Sequence, residues 1–377
     1  MTRGFFVNLP TENTINILSR ISVRDVLSCK CVCKSGLELL NSREFVKSHL
    51  SKSVSGLAVV RSGVESNSYE IFEFQDSLDL EHHNLRYSLV TKFVFPRAEA
   101  LRGSANGLVF MTGDKPCDLY VCNPVTRDFI KLCPYSVSLD SSSNIVAFGF
   151  GVTKMTGQHK VVRVVCDYEL AENSFRITVT RSHCEVYTLG TRTWRSIVPG
   201  DKLMYDSYGV FLHGNLHWLV VDPQAPSRIS CFDLETERFS TFSHPPLLTK
   251  GGSVGSLSVL EGRLCLCDNS SEGKIIIWVL REYGVAKSWT KEYVINKDAE
   301  LCGDYVLVSP IKVFKNGDIL FKCDESLLFH YNGRTKSLQK IEMFDAHGGD
   351  QSRVDAIPHT SSFPSLRNFG MEDLYSF

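Results

Sequence analysis

Cys122-Asn123-Pro124-Val125-Thr126-Arg127-Asp128-Phe129 sets the architecture of most of this 377-residue chain, because its plan recurs. Phe232-Asp233-Leu234-Glu235-Thr236-Glu237-Arg238-Phe239 and Thr188-Leu189-Gly190-Thr191-Arg192-Thr193-Trp194 follow it. Fainter copies are Ala286-Lys287-Ser288-Trp289 and Asn332-Gly333-Arg334-Thr335-Lys336-Ser337-Leu338. Each reads as a strand, a tight turn and a second strand. Asn123, Asp233 and Asn332 suit the turn because short polar side chains accept bonds from its backbone N–H groups. The threonine stiffens the exit, and the aromatic residue three positions on returns to a core. Thr126, Thr191, Thr236, Ala286 and Thr335 are 65, 45, 50 and 49 residues apart. A period of about 40 to 50 residues with several strands in each indicates propeller blades. The long first interval fits one blade with an insertion around Gly151–Gln158.

A second element lies between these turns. His213-Gly214-Asn215-Leu216-His217-Trp218, Glu261-Gly262-Arg263-Leu264 and Lys315-Asn316-Gly317-Asp318-Ile319 are glycine-bearing hairpin turns entering apolar strands. Gly103-Ser104-Ala105-Asn106-Gly107-Leu108 is a looser copy. From Leu57 to about Met343 short apolar or alternating runs replace helical periodicity. The expected fold is an all-β propeller of about six blades over 57–345, followed by a tail over 346–377. Within the tail, Phe363, Leu366, Phe369 and Leu374 are candidates to pack on the propeller. Closure of the ring predicts that a strand within Leu57–Phe74 pairs with the last blade near Leu327–Ile341. Phe129, Trp194, Phe239 and Trp289 are expected at equivalent, largely buried positions, and Trp218 and Trp278 also read as blade-core residues.

The first fifty residues are different. Leu9-Pro10 opens a helical pattern with Ile15, Ile17, Leu18 and Ile21 on one stripe. Ser22 with Asp25 three residues later has the form of a capping box, so a second helix starts near Val23 and carries Val26, Leu27 and Val32. Ser42 suits the cap of a last helix holding Phe45 and Leu50. Three short helices over 5–50 are expected, joined to the strands by a polar linker at 51–56. About 42 residues of short helix cannot bury a full core alone, so a partner is expected to complete it.

These residues resemble an F-box. That family's pattern is met by Leu9, Pro10, Glu12, Ile17, Leu18, Arg20, Ile21, Val23, Leu27, Cys29, Lys30, Cys31, Val32, Cys33 and Lys34. Asn13 and Thr14 stand where the family prefers apolar residues, Ser22 where it has proline, and Gly36 where it has tryptophan. Asn106-Gly107-Leu108 and Asn123-Pro124-Val125-Thr126 are in turn similar to the kelch-like, F-box-associated region of plant proteins. The resemblance implies a substrate-recognition subunit of an SCF-type cullin–RING ubiquitin ligase. Leu9, Pro10, Ile17, Leu18, Ile21, Leu27 and Val32 would bind the Skp-type adaptor, and the propeller a target protein for ubiquitination and proteasomal degradation. The departures keep a second reading open, an adaptor-independent interaction scaffold.

Composition is that of a globular protein, with 43% hydrophobic and 22% charged residues. A net charge of −1 draws the chain to neither nucleic acid nor anionic lipid. Ile275-Ile276-Ile277-Trp278-Val279-Leu280 is too short to span a bilayer. The N-terminus lacks a secretory pattern, and the 13 cysteines are odd in number and scattered, so a cytoplasmic or nuclear location is expected. Gly251-Gly252-Ser253-Val254-Gly255 has the spacing of a nucleophile elbow but precedes a strand pattern rather than a helix. Cys29, Cys31 and Cys33, two apart on a helix, do not converge on one metal ion. His82-His83 has no matching cysteine pair, and Gly149-Phe150-Gly151 lacks the third glycine and helix of a dinucleotide loop. A propeller hydrolase or lyase is a further class, but no paired acids in matching context occur. Neither a catalytic residue nor a cofactor is expected. Tyr205, Tyr208, Arg195 and His213 are loop residues in reach of a substrate.

Overall fold

The computed structural model describes residues 9–30, 34–61, 67–74, 87–95, 100–115, 117–134, 144–170, 177–198, 204–205, 208–221, 228–242, 244–245, 255–269, 273–297, 307–323, 327–341, 354–370 and 372–377. They belong to two compact units, one drawn from 1–75, 86–132 and 357–377, the other from 76–85 and 133–356.

The first unit begins with four helices, α1 (Thr11–Leu18), α2 (Val23–Lys30), α3 (Lys34–Leu40) and α4 (Arg43–Leu50). Pro10 caps α1 rather than joining it, and its carbonyl accepts from Thr14 N–H at 3.1 Å. Ser22 accepts from Asp25 N–H at 3.2 Å and donates to the Asp25 carboxylate at 2.7 Å, the capping expected at α2. Ser42 caps α4 by accepting from Phe45 N–H. Where three helices were expected there are four: α3 escaped because Gly36 and the preceding cysteines hide its Leu37–Leu40 spacing. The polar 51–56 stretch is bonded back to the helices: Lys52 Nζ donates to Asn16 Oδ1 at 2.9 Å and Ser19 Oγ at 2.7 Å.

Strands follow. β1 (Gly56–Arg61), β2 (Ser68–Phe74) and β3 (Tyr87–Val94) form an antiparallel meander; β4 (Ala100–Ala105), β5 (Leu108–Thr112), β6 (Leu119–Asn123) and β7 (Asp128–Lys131) form the next. In the second unit β8 (Asn144–Val152), β9 (His159–Leu170), β10 (Ile177–Thr188) and β11 (Trp194–Ile197) make one meander. β13 (Tyr208–Leu212), β14 (Asn215–Val221), β15 (Arg228–Asp233) and β16 (Arg238–Phe242) make another, with β12 (Met204–Tyr205) against β14. β17 (Gly255–Leu260), β18 (Arg263–Asp268), β19 (Lys274–Leu280) and β20 (Trp289–Asn296) follow. The next four are β21 (Val308–Val313), β22 (Ile319–Cys323), β23 (Leu327–Tyr331) and β24 (Leu338–Lys340). Finally β25 (Val354–His359) joins β1, and β26 (Leu374–Ser376) joins β7.

The repeat is real in register. Cys122 opposes Phe129, Tyr187 opposes Trp194, Phe232 opposes Phe239 and Tyr331 opposes Leu338, each pair separated by seven residues. The fifth residue after each first partner is left-handed: Arg127 (φ 61°), Arg192 (55°), Glu237 (55°) and Lys336 (60°). Trp289 occupies the same place opposite Leu280, across a turn two residues longer. Asn123, Asp233 and Asn332 each accept two backbone N–H bonds in the turn. Phe129 and Trp289 are buried, whereas Trp194 and Phe239 are half-buried. The second element also holds. Asn106-Gly107, His213-Gly214 and Glu261-Gly262 have both turn residues at positive φ, the twist that closes a two-residue hairpin.

Two expectations are corrected. β1 pairs with β25, not with 327–341, whose strands β23 and β24 stay in their own sheet. Residues 346–377, read as a tail, contain β25 and β26, which pair with β1 and β7. Such pairing is invisible in sequence because its partners lie more than 240 residues apart.

β8 and β13 pair in parallel at Phe148–Tyr208 and Gly149–Gly209, and glycine is the reason. A Cβ on Gly149 would lie 2.7 Å from Trp218, and one on Gly209 2.5 Å. The fully buried indole of Trp218 fills that slot and donates Nε1–H to Phe148 O at 3.3 Å. Gly149, passed over as a phosphate loop, is a packing residue.

Candidate functional site

The helical module has an inner and an outer surface. Leu18, Val23, Val26, Leu40 and Phe45 are buried together, and Val125 and Phe363 complete the same cluster. Ile15, Ile21, Leu27 and Leu39 line its margin. Ile17 is 46% exposed and Leu37 41%, so these two aliphatic side chains stand outside that cluster.

The residues assigned to adaptor binding divide accordingly. Pro10 and Ile17 are exposed, while Leu9, Ile21 and Leu27 are half-buried. Leu18 faces the core at 7% exposure, packed in one cluster with Val26 and Phe45. Val32, Cys31 and Cys33 lie outside the described residues, as do His82-His83 and Gly251–Val254. Thr14 is buried, and its hydroxyl bonds back to Pro10 O at 3.3 Å, so this polar residue is tolerated without a partner protein.

The loop candidates do not converge. Tyr208 and His213 sit at opposite ends of β13. Arg195 pairs with Glu237 at 2.6 Å, and Lys160 reaches the same carboxylate at 2.8 Å. Burial alone would raise the Glu237 pKa, but these two cations hold it below the ordinary range. The side chain of Tyr205 lies outside the described residues.

Two polar clusters escaped the sequence reading. His217 Nδ1 lies 3.2 Å from Val210 O, so it carries the proton, and Nε2 accepts from Tyr283 Oη at 2.7 Å. Asn215 donates to the same phenol oxygen at 3.0 Å. Burial pushes the His217 pKa down to about 4. These bonds clasp β14 to the turn after β19. In the first unit Ser104 Oγ lies 2.8 Å from His359 Nδ1, the spacing of a nucleophile and its base. His359 is buried, which lowers its pKa to about 4. Its Nε2 has no hydrogen-bond partner among the described residues, so no third group orients the ring as a catalytic triad would. The contact ties β4 to β25. Among the described residues no cluster of three or more His, Cys, Asp or Glu side chains is placed to hold a metal ion.

The order of these parts, a short helical module and then repeated four-stranded meanders, matches known proteins. The profile of the F-box associated beta propeller domain covers residues 64–363. The chain belongs to that family. The F-box domain profile covers residues 6–47, so the helical module is its F-box. "F-box protein CPR1" of Arabidopsis thaliana is 24% identical over 364 residues, covering 89% of this chain and 85% of its own. An F-box/kelch-repeat protein of the same plant is 23% identical over 350 residues, covering 86% and 90%. Among solved structures, an Aleuria aurantia lectin aligns over 78% of this chain and 97% of its own at 11% identity and a TM-score of 0.42, too slight a likeness to carry over its ligand. No described helix is long and apolar enough to cross a membrane.

Proposed function

We propose that this F-box protein is the substrate-recognition subunit of an SCF-type cullin–RING ubiquitin ligase. The observation that carries the reading is the outer surface of its F-box, where Ile17 and Leu37 stand exposed beside a finished core. Leu9, Pro10, Ile17, Ile21, Leu27 and Val32 would meet a Skp-type adaptor, with Leu18 buttressing them from inside. The propeller, with one blade to each of six meanders, would hold the target protein for ubiquitination and proteasomal degradation. The receptor itself then needs no nucleophile, because holding the target beside a charged ubiquitin carrier makes transfer effectively intramolecular. Cytoplasm and nucleus are the compartments where such a ligase would work.

Affinity purification of the full chain tests this. Adaptor and cullin should be recovered with it, and an Ile17→Asp variant that keeps its melting behaviour should lose both. Recovery of neither by the wild-type chain would instead favour the adaptor-independent scaffold.

A further inference from the structure

The F-box core is finished by the other end of the chain. Phe363 is fully buried, with its ring centroid 5.0 Å from His49 and 6.1 Å from Phe45, both on α4. Lys30 at the end of α2 lies over the same ring at 4.7 Å, while its Nζ donates to Asn41. The β side grips the backbone on both sides of that phenylalanine. Asn123 Nδ2 donates to Ser362 O at 3.3 Å and to Pro364 O at 2.9 Å. Gly107, at φ +86°, leaves room for Ser362, whose Cβ would sit 2.7 Å from any Cβ placed there. Val125, in the Asn123 turn, adds the other buried β-side residue of the cluster.

We infer that Phe363 is a positioning residue for adaptor capture, an inference that rests on the proposed function. It is held by the sheet turns and completes the helical core, so it fixes the inner side of helices whose outer side carries Ile17 and Leu37. Adaptor binding is then thermodynamically coupled to docking of the C-terminal segment, although no residue of that segment need touch the adaptor. Linkage makes the coupling reciprocal: a ligand that prefers ordered helices also strengthens the docking. A chain whose C-terminal segment has not yet docked on the sheets would present a poor F-box.

The test uses the full-length chain and a purified Skp-type adaptor. Phe363→Ala should weaken binding at least tenfold and speed amide exchange in α2 and α4 of the adaptor-free chain, with exchange in β17–β24 unchanged. Phe363→Leu, which refills most of the space, should restore affinity to within about threefold. Should Phe363→Ala fail to fold, Val125→Ala probes the same cluster from the turn, with a smaller effect in the same direction. Unchanged affinity in a folded Phe363→Ala or Val125→Ala chain would overturn the inference while leaving the proposed function standing. Faster helix exchange without weaker binding would overturn the coupling in the same way. Absence of binding by the wild-type chain would overturn the proposed function and this inference together.

Discussion

Replacing Asn123 with aspartate separates two jobs that one side chain performs. Its Oδ1 accepts from the N–H groups of Val125 at 2.9 Å and Thr126 at 3.4 Å, as Asp233 and Asn332 do in their own turns. Its Nδ2 additionally donates to Ser362 O and Pro364 O, and the residue is fully buried. Asn123→Asp keeps the accepting oxygen but points a second oxygen at two carbonyl oxygens. A carboxylate there must take up a proton to remain, which near pH 7 costs about 4 kcal/mol, roughly three pKa units. One lost donation adds about 1 kcal/mol. The expected loss is therefore about 5 kcal/mol at pH 7. The sign follows from linkage: the folded-state pKa is raised above the ordinary value near 3.9, so the penalty is full at neutral pH and fades as pH falls toward about 4. Asp233→Asn is the control, since among the described residues the Asp233 side chain bonds its turn N–H groups, and it should change stability by less than about 1 kcal/mol.

The assay must report on the first unit alone. All four tryptophans, at 194, 218, 278 and 289, lie in the second, so intrinsic tryptophan fluorescence is blind to this change. Hydrogen exchange of peptides spanning 119–132 and 357–369, corrected for intrinsic rates and followed from pH 7 to pH 4.5, reads the local opening energy directly. An Asn123→Asp chain within about 1 kcal/mol of wild type at pH 7 would refute the reasoning. So would a deficit that does not shrink in acid.

Other substitutions sort inward from outward residues. Leu18→Ala should cost about 2–4 kcal/mol in unfolding of the F-box by hydrogen exchange, whereas Ile17→Asp should leave stability within about 1 kcal/mol and cost at least about 2 kcal/mol in adaptor affinity by calorimetry. Gly209→Ala, whose Cβ would meet Trp218 at 2.5 Å, should destabilise by at least about 2 kcal/mol and alter tryptophan fluorescence. Gly262→Ala, with nothing within 4 Å but φ at +72°, should cost only about 1 kcal/mol in thermal unfolding. His217 and His359 have folded pKa values near 4 against an ordinary 6.5, so their stabilisation is full above about pH 6.5 and is lost as pH falls toward 4, at about 3 kcal/mol each. Thermal unfolding as a function of pH should show this, and His359→Gln should flatten the acid limb for the first unit.

What was legible in the sequence is what is decided within about eight residues. The Asn123, Asp233 and Asn332 turns contain their own bonding partners, and so do the Ser22 and Ser42 caps; their residue types and offsets announce the geometry. The aromatic positions followed from the turns, since a fixed turn length fixes what opposes what. Illegible were contacts whose partners are remote in sequence. His217 gives no sign that Tyr283 will meet it, and Ser104 gives none of His359. Gly149 and Gly209 give no sign in sequence that Trp218 will occupy the space their missing side chains leave. The β1–β25 pairing was missed because strand patterning tells which segments are strands but not which edge each will find.

The F-box shows how the two kinds of constraint combine. Its length alone argues that something must cover its apolar residues, because a surface-rich module of about 42 residues buries too little. Length does not say whether the cover comes from the same chain or from another. The structure divides the question by face. Inward, Phe363 and Val125 close the cluster around Val26 and Phe45, so that side needs no second protein. Outward, Ile17 and Leu37 remain in solvent on helices the inner face has already stiffened. A partner that binds there meets a surface whose ordering entropy was lost on folding, when Phe363 docked, and so need not be spent again at association. Departures such as Thr14, whose hydroxyl is satisfied by Pro10 at the cap of α1, then matter less than motif matching suggests, because the F-box is organised from behind.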